Sequence, residues 1–371
     1  MNQNFAKMTK VLATSLGLTA EELMSAYDRA KASELIAVTE LMRLGFGEVD
    51  NLKQDVIAWR YFNFSKNSSD IFVLRHQGRL IGAIGAEPIK VHVGEREYEG
   101  IIASDIVVHP DHLKRGIGAW MNLYLQDRFP IVMAMGSNAN SNVMVRRLFK
   151  PMRCRHHFKM LFSIKRYLEV RDWPPIFIHI VSALAVLPLT VLRVILLKPL
   201  PLGYTITVAD NSRVLAGFFK DVEYQARPLN RVTRSLGYCQ WRYDANPKSQ
   251  YKVFQLTSVD QCLGYAVVKV PAGGAEGDWQ LMDWDFLPKC RDMKHARILF
   301  SALARSVAKE GAQSLTVMTS DKLSRKSLGR TGFSLRALDD GFFLWSQEHV
   351  DPAVRDANSW FLSFCDTDEA L

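Results

Sequence analysis

The sequence has few cysteines, and no two of them are close together. Its 371 residues include five cysteines, at positions 154, 239, 262, 290 and 365. An odd number of widely separated cysteines provides neither a disulfide framework nor the CxxC spacing of a zinc site. We therefore expect a cytoplasmic protein in a reducing environment, and no metal.

The N-terminal segment lacks the small-residue cleavage site of a secretory signal. Lysines precede a short, weakly apolar patch in residues 1–18, and Thr19 and Glu22 then have the spacing of a helix capping box. We expect residues 1–29 to form a helical extension.

Acidic residues are outnumbered by basic ones. The chain contains 47 Lys and Arg against 38 Asp and Glu, so its net charge is +9, and 48% of its residues are hydrophobic. A basic chain favours an anionic partner, which includes a phosphorylated cofactor, a nucleic acid and an anionic membrane surface. The length and the apolar fraction are enough for one large or two ordinary domains, each with its own core.

A tripeptide recurs in the sequence together with its surroundings. Trp59-Arg60-Tyr61 returns as Trp241-Arg242-Tyr243, and each copy is followed by apolar strand-like runs, a helical pattern, another strand and a basic helix. This order predicts an α/β (α+β) fold of two similar domains, each a mostly antiparallel mixed sheet flanked by helices. We expect the triplets to pack a helix against a sheet. The alternative is that their aromatic rings stack on a bound sugar. The predicted segments are 30–168 and 205–350, with a connector over 169–204 and a tail over 351–371.

The connector is strongly apolar from 174 to 203, long enough to suggest a membrane span. His179, Pro188 and Arg193 interrupt it, and a single span would place two similar domains on opposite sides of a membrane. We expect instead a connector packed on the domains, or a surface contact with the inner membrane through residues 176–197.

The stretch SDIVVHPDHLKRGIGAWMNLYLQD, residues 104–127, contains the pattern of a ligand-binding site. An apolar strand ends at His109-Pro110, and a helix begins at Gly116. The first amides of a helix have no internal partners, so this turn is a site for an anion, with Lys114 and Arg115 beside it. The spacing of Gly116 and Gly118 fits neither GxGxxG nor GxxxxGK[ST], so no Rossmann site or P-loop is predicted there.

This stretch resembles the acyl-CoA-binding motif of the GCN5-related N-acetyltransferase (GNAT) superfamily. That motif is a strand ending V-x-P, followed by R/Q-x-x-G-x-G/A on the turn into a helix. Val108-His109-Pro110, Gly116 and Gly118 match it, whereas Leu113 replaces the R/Q residue. The resemblance implies an acyl-CoA co-substrate, acetyl-CoA or another acyl-CoA, held by Ile106, Val107, Val108, Leu113, Lys114, Arg115, Gly116, Ile117, Gly118 and Asn142.

The second copy departs from the motif at the turn. It keeps Gly332-Phe333 of a later family element, but its turn, LPKCRDMKHARI, has no glycine. We expect it not to bind CoA. The triplets and the tail also resemble tandem GNAT-like proteins linked with bacterial cell-surface polysaccharide biosynthesis.

Acyl transfer to an amine needs a general base, and Asp105 is the candidate that lies nearest the expected thioester. Glu97, Glu99 and His109 are the alternatives, and Asp105 could instead serve to pair with an arginine. Phe149 stands where the family often has a tyrosine acid, so water, Tyr124 or another residue would have to protonate the leaving thiolate.

These features predict an acyl-CoA-dependent N-acyltransferase, with acetyl as the expected acyl group. The acceptor is an amine, for which an amino sugar or a cell-envelope precursor is a candidate, and no nucleic-acid partner is favoured. Two alternatives stay open at this point: a Fem-type transferase that uses aminoacyl-tRNA, and a degenerate GNAT pair that acts as a scaffold.

Overall fold

Two mixed β-sheets, each with helices against it, organise the chain. A computed structural model describes residues 3–63, 69–135, 139–165, 168, 171, 173–222, 229–259, 261–272, 274, 276–339 and 341–367. The helices are α1 (Gln3–Leu16), α2 (Ala20–Ser25), α3 (Leu35–Phe46), α4 (Gln54–Phe62), α5 (Ile117–Arg128), α6 (Ala139–Leu148), α7 (Pro175–Leu196), α8 (Ala216–Val222), α9 (Leu236–Cys239), α10 (Met293–Lys309) and α11 (Lys322–Arg330). The strands are β1 (Tyr27–Arg29), β2 (Ile71–His76), β3 (Arg79–Val93), β4 (Arg96–Val108), β5 (Ile131–Met135), β6 (Lys150–Pro151), β7 (Arg155–Leu161), β8 (Thr205–Ala209), β9 (Arg231–Val232), β10 (Gln250–Ser258), β11 (Gln261–Val270), β12 (Asp278–Phe286), β13 (Ser314–Thr319), β14 (Ser334–Asp339) and β15 (Phe342–Ser346).

The first sheet has the strand order β1-β2-β3-β4-β5-β15-β6, with β9 added beside β3. Its pairs are antiparallel except β4 with β5. The second sheet has the order β14-β7-β13-β12-β11-β10-β8, and there only β12 and β13 are parallel. The mixed α/β fold with two such sheets agrees with the prediction, and it is consistent with two GNAT-like domains.

The two sheets exchange a strand. β7 leaves the first half of the chain and lies between β13 and β14 of the second sheet. β15 comes from the second half and lies between β5 and β6 of the first sheet. Each sheet therefore contains strands from both of the predicted segments, 30–168 and 205–350. A local pattern predicts that a strand exists but not which of two similar sheets it joins, because pairing is decided by distant residues.

One large apolar core spans both halves. Met133 of the first sheet belongs to the same buried cluster as Tyr265 and Trp284 of the second half. At the centre, the Trp59 indole donates to the Trp241 carbonyl at 2.8 Å and the Trp241 indole donates to the Trp59 carbonyl at 3.1 Å. The two rings stack with centroids 5.4 Å apart. The repeated tripeptide thus joins the halves through a reciprocal contact, which agrees with the packing role predicted for it.

Helices α1 and α2 lie in the N-terminal segment, whose last residues form β1 of the first sheet, and α1 packs on α5. The Trp120 indole donates to Thr9 Oγ1 at 2.9 Å, and the Phe5 ring contacts those of Trp120 and Tyr124. At the next turn, Thr19 and Glu22 form the predicted capping box at the start of α2. Helix α1 therefore covers the outer side of the helix that follows the glycine turn.

The apolar connector forms α7, a helix of 22 residues with Pro188 inside it. Across the part of the chain that the structure describes, no helix is both long enough and apolar enough to span a membrane.

Candidate active site

Strands β4 and β5 run parallel and then separate. Their register pairs run from Gly100 with Ile131 to Ala103 with Ala134. β4 continues to Val108 and stays paired with β3 on its other side. Among the described residues, no strand pairs with the β4 edge that faces away from β3 beyond Ala103, so this edge is positioned to pair with an extended ligand.

A bulge interrupts β4 where this separation begins. Ser104 pairs with Gly85 and Val107 pairs with Ala83, so Asp105 and Ile106 lie opposite the single residue Ile84. Asp105 has a φ of 46°, a left-handed conformation that is uncommon outside glycine and best tolerated by Asn and Asp. Such bulges re-aim side chains and often lie beside functional sites.

The bulge reverses which side chains of β4 face α5. Ile101 and Ala103, before the bulge, belong to the core cluster under α5. After the bulge, Ile106 and Val108 lie within 4 Å of the position that a Cβ on Gly118 would take, and Val107 packs against α3 at Gly45. One extra residue shifts the two-residue alternation by one step.

The carboxylate of Asp105 lies against α4. Arg60 Nη1 donates to Asp105 Oδ2 at 2.7 Å, and the Tyr61 hydroxyl donates to the same oxygen at 2.5 Å. Burial raises the pKa of Tyr61 well above its ordinary value, so this phenol stays protonated and acts as a donor. The Asp105 side chain keeps 23% of its surface exposed. The arginine partner considered from the sequence is present, and a partly accessible carboxylate remains.

The turn after β4 ends in a helix start without a side-chain cap. A short 3-10 segment, Pro110–His112, leads to Lys114, whose φ is 63°, and then to Gly116, whose φ is 82°. Gly116 is the N-cap of α5 and provides no side-chain hydrogen bond. Because the first helical bond runs from the Trp120 amide to the Gly116 carbonyl, the three preceding amides have no bond within the helix. This geometry suits a phosphate group.

The neighbours of this turn are cationic and apolar. Lys114 and Leu113 are exposed, and Arg115 Nη1 donates to the Ser15 carbonyl of α1 at 3.1 Å. The Met8 methyl lies 2.3 Å from the position that a Cβ on Gly116 would take. Any side chain at Gly116 would therefore displace Met8 as well as strain the backbone.

Helix α6 borders the other side of the cleft. Met144 Sδ lies 3.5 Å from the Cβ position of Gly118 and 3.9 Å from Asn122 Nδ2. Asn142 lies on the same helix, where its Oδ1 accepts from Arg146 Nε at 2.7 Å. The structure thus brings the turn, the bulge and the segment containing Asn142 to one end of the first sheet.

The alternative bases lie farther from the bulge or are engaged elsewhere. Glu97 and Glu99 pair in register with His92 and Lys90 near the β3–β4 hairpin, six to eight residues from Asp105, which is about 20–26 Å along a strand. Glu97 accepts from Lys90 at 2.9 Å and from Thr233 at 3.1 Å. His109 Nδ1 accepts from the Asp111 amide at 3.3 Å in the turn.

Tyr124, considered as the acid, and Phe149, which stands in place of the family's tyrosine, both lie in the core of the first half. Tyr124 is buried among Phe5, Tyr27 and Phe72. Phe149 is 5% exposed and belongs to the same core cluster. The Tyr124 ring therefore packs in the core of the first half, and its role as the acid stays a prediction.

The corresponding cleft of the second sheet contains the protein's own tail. The register pairs of β12 with β13 end at Leu281 and Val317. Beyond them, Ser363 Oγ donates to Asp283 on β12 at 3.1 Å, and the Leu362 amide donates to Ser320 just after β13 at 2.8 Å. The tail thus bridges the two strands where they separate.

Buried ion pairs fix this tail in place. Arg234 donates to Asp366 at 2.6 Å and to Asp283 at 3.1 Å, and Arg242 of the second triplet donates to the Thr367 carbonyl at 2.5 Å. Asp283, Asp285 and Asp366 are all buried in such pairs.

The helix start in the second half is capped by a carboxylate. Asp292 is the N-cap of α10, and its side chain accepts from the His295 amide at 2.9 Å. Burial alone would raise the pKa of Asp292, but its hydrogen bonds with His295 lower it on balance. An anionic side chain therefore occupies the position that Gly116 leaves open in the first half.

Sequence reasoning missed Arg60 and Tyr61 as the partners of Asp105. Their only signal was the repeated tripeptide, which pointed to packing. In the sequence, the only sign of the bulge is an aspartate within an apolar run. Nothing in the sequence predicts that the tail lies in the cleft of the second sheet.

A parallel strand pair, a bulge where its pairing ends and an uncapped helix start after a glycine turn are features of a GNAT acetyltransferase fold. Residues 26–126 match the family model of the acetyltransferase (GNAT) domain. The matched residues include the bulge and the turn. Domains of this family use an acyl-CoA such as acetyl-CoA as co-substrate, and these findings support an acyltransferase.

Solved structures extend the likeness to both sheets. The chain is similar to a GCN5-related N-acetyltransferase from Anabaena variabilis (TM-score 0.58, 10% identity), a probable N-acyltransferase from Enterococcus faecalis (0.56, 14%) and a GCN5-related N-acetyltransferase from Kribbella flavida (0.53, 12%). Each likeness covers 86% of this chain and 71% of the other. At such identities the likeness shows the fold. No curated protein is similar enough in sequence to count as a relative.

Within the described residues, no group of three or more His, Cys, Asp or Glu side chains could hold a metal ion.

Proposed function

We propose that the protein is an acyl-CoA-dependent N-acyltransferase with a single acyl-CoA site per chain, at the end of β4 in the first sheet. The observation that carries the proposal is the bulge at Asp105 beside the uncapped start of α5. Acyl-CoA would supply a thioester, and the acceptor nitrogen would bond to its carbonyl carbon as the carbon–sulfur bond breaks and CoA leaves as the thiol.

The residues of the turn fit the phosphates of CoA. The free amides at the start of α5, Lys114 and Arg115 would hold them, and the edge of β4 from Ile106 to Val108 would pair with the extended arm of the co-substrate. Leu113 is exposed and would contribute through its backbone, which needs no particular side chain.

Asp105 is the proposed general base. Arg60 and Tyr61 both donate to its Oδ2, which fixes the orientation of the carboxylate, and the exposed part of the group can accept a proton from an ammonium ion. The proposed acceptor is an amine, with an amino sugar or a cell-envelope precursor as candidates. The second half would act as a support that keeps no acyl-CoA site, since its own tail and Asp292 fill the corresponding positions.

The test is release of the CoA thiol from acetyl-CoA in the presence of a panel of amines, including amino sugars. Asp105→Asn keeps the side-chain size, the acceptor for Arg60 and the preference for a left-handed backbone. We expect kcat to fall by about two to four orders of magnitude while the affinity for acetyl-CoA is kept. Glu99→Gln, the same change on the same strand, is the control and should keep the parent rate.

Two results would contradict this assignment. A near-normal rate for Asp105→Asn would show that Asp105 is not the base, and a lowered melting temperature with only a modest loss of rate would show that it is a structural partner of Arg60. Failure of the parent protein to bind any acyl-CoA would favour the scaffold alternative.

A further inference from the structure

Helix α7 carries an apolar face that the rest of the described chain leaves exposed. Ile176 is 71% exposed, Leu184 is 72% exposed and Val194 is 74% exposed. Phe177, Ile180, Val191 and Ile195 are also exposed beside them. A contiguous apolar surface of this kind on a folded protein marks an interaction site.

These residues lie on one side of the helix. Positions 176, 180 and 184, followed by 191, 194 and 195, are separated by the three-, four- and seven-residue steps that align side chains along one helical face. The other side of α7 is attached to the protein: Ile178 is 7% exposed, and Leu196 lies against Gly332. The helix is thus held lengthwise with one apolar face outward.

The charges around this face are positive. From Trp173 to Tyr204 the sequence contains no Asp or Glu, and the exposed Lys198 follows the helix. Arg305 and Lys309 line the same groove as Val194 and Leu197 at the C-terminal end of the helix, and Arg305 donates to the Leu197 carbonyl at 2.6 Å. An apolar face bordered by lysine and arginine is complementary to acyl chains beneath anionic headgroups.

An exposed aromatic side chain and an exposed apolar side chain flank the helix. Trp173, 43% exposed, precedes the helix, and Leu202, fully exposed, follows it. Tryptophan is enriched at the boundary between lipid headgroups and acyl chains. A second copy of the chain would bring equal positive charges together, and this like-charge contact is unfavourable.

We propose that the apolar face of α7 is a docking surface for an anionic lipid bilayer, on which the helix lies parallel to the membrane plane. This proposal does not depend on the acyltransferase assignment. Docking would place the protein at the source of lipid-attached molecules while both sheets stay on one side of the bilayer.

The test is co-sedimentation of the full chain with vesicles of phosphatidylcholine, alone or mixed with phosphatidylglycerol at about three to one. We expect binding to the mixed vesicles that weakens as salt rises. Ile180→Asp should weaken it about tenfold or more, because a carboxylate would enter the acyl region. Ile36→Asp is the matched control, since Ile36 is 60% exposed on α3, and it should bind like the parent.

The proposal is overturned if the parent ignores both kinds of vesicle, or if Ile180→Asp binds as well as Ile36→Asp. Sedimentation velocity distinguishes the second copy as occupant. A parent dimer that Ile180→Asp converts to a monomer, without vesicle binding, would assign the face to self-association instead. Thermal melting of both variants verifies that they fold.

Discussion

At the scale of single residues, the candidate site depends on backbone conformations that side chains normally avoid. Asp105, Lys114 and Gly116 all have positive φ, and they lie at the bulge and in the turn. Of these three residues, only the glycine could be predicted from the sequence to have a positive φ. The other two result from the register with β3 and from the path of the turn, which tertiary pairing decides.

Lys114→Glu tests the contribution of the turn to acetyl-CoA binding. Glutamate should tolerate the positive φ at this position as well as lysine does. Reversing this exposed charge beside the uncapped start of α5 should weaken acetyl-CoA binding about tenfold, because the reversal changes two units of charge, each worth about 0.7 kcal/mol near a helix terminus. Calorimetry measures the affinity. Lys289→Glu, at the equivalent turn of the second half, is the control and should bind acetyl-CoA like the parent; an equal loss in both variants would point to a non-specific effect of net charge.

Gly85→Ala tests the support of Asp105. A Cβ at Gly85 would lie 2.5 Å from the Tyr61 ring, so Tyr61 must move and its hydrogen bond to Asp105 should be lost. We expect a lower kcat and a lower melting temperature together. Gly217→Ala, in a helix where nothing lies within 4 Å of the added Cβ, should lower neither; a parent-like kcat for Gly85→Ala would mean that the orientation of Asp105 does not matter.

At the scale of secondary-structure elements, ion pairs join strands from different halves. Asp339 on β14 accepts from His157 at 2.5 Å and from Arg155 at 3.1 Å, both on β7. Burial would raise the pKa of Asp339, but the His157 hydrogen bond and the Arg155 charge outweigh it and lower the pKa from the ordinary 3.8 to about 2. The pairing of the exchanged strand β7 is thus reinforced by charge.

The lowered pKa of Asp339 predicts a pH dependence of stability. A carboxyl group with a lower pKa in the folded state stabilises that state above the unfolded pKa, and its contribution is lost as pH falls through the folded pKa. The free energy of unfolding should therefore decrease as pH falls from about 4 to about 2. Urea unfolding of Asp339→Asn should show a smaller decrease over this range, and an identical pH profile for parent and variant would contradict the role.

At the scale of the whole molecule, the sequence predicted much of the architecture but not its connectivity. The repeated triplet, the succession of strands and helices along each half and the glycine turn could be recognised because each is a local pattern. The exchange of β7 and β15 and the insertion of residues 360–367 between β12 and β13 were not, since each depends on contacts between segments far apart in sequence.

The tail is also a structural part of the second half. Phe361 is 1% exposed and packs on Trp284 with ring centroids 5.4 Å apart. Phe361→Ala should lower the free energy of unfolding by about 3–5 kcal/mol, as truncating a buried aromatic residue does. Leu335→Ala, at a position that is 55% exposed, should change it by less than about 0.5 kcal/mol; similar losses in denaturant titrations of the two variants would show that the tail is not packed in the cleft.

The stoichiometry of acetyl-CoA binding tests the central claim most directly. The uncapped turn at Gly116 and the open edge of β4 should give one site per chain, because Asp292 and the tail occupy the equivalent positions of the second half. Calorimetric titration of the parent protein should therefore show one molecule bound per chain, and Lys114→Glu should weaken that single site. Two equivalent sites per chain, or binding that Lys114→Glu leaves unchanged, would contradict the account.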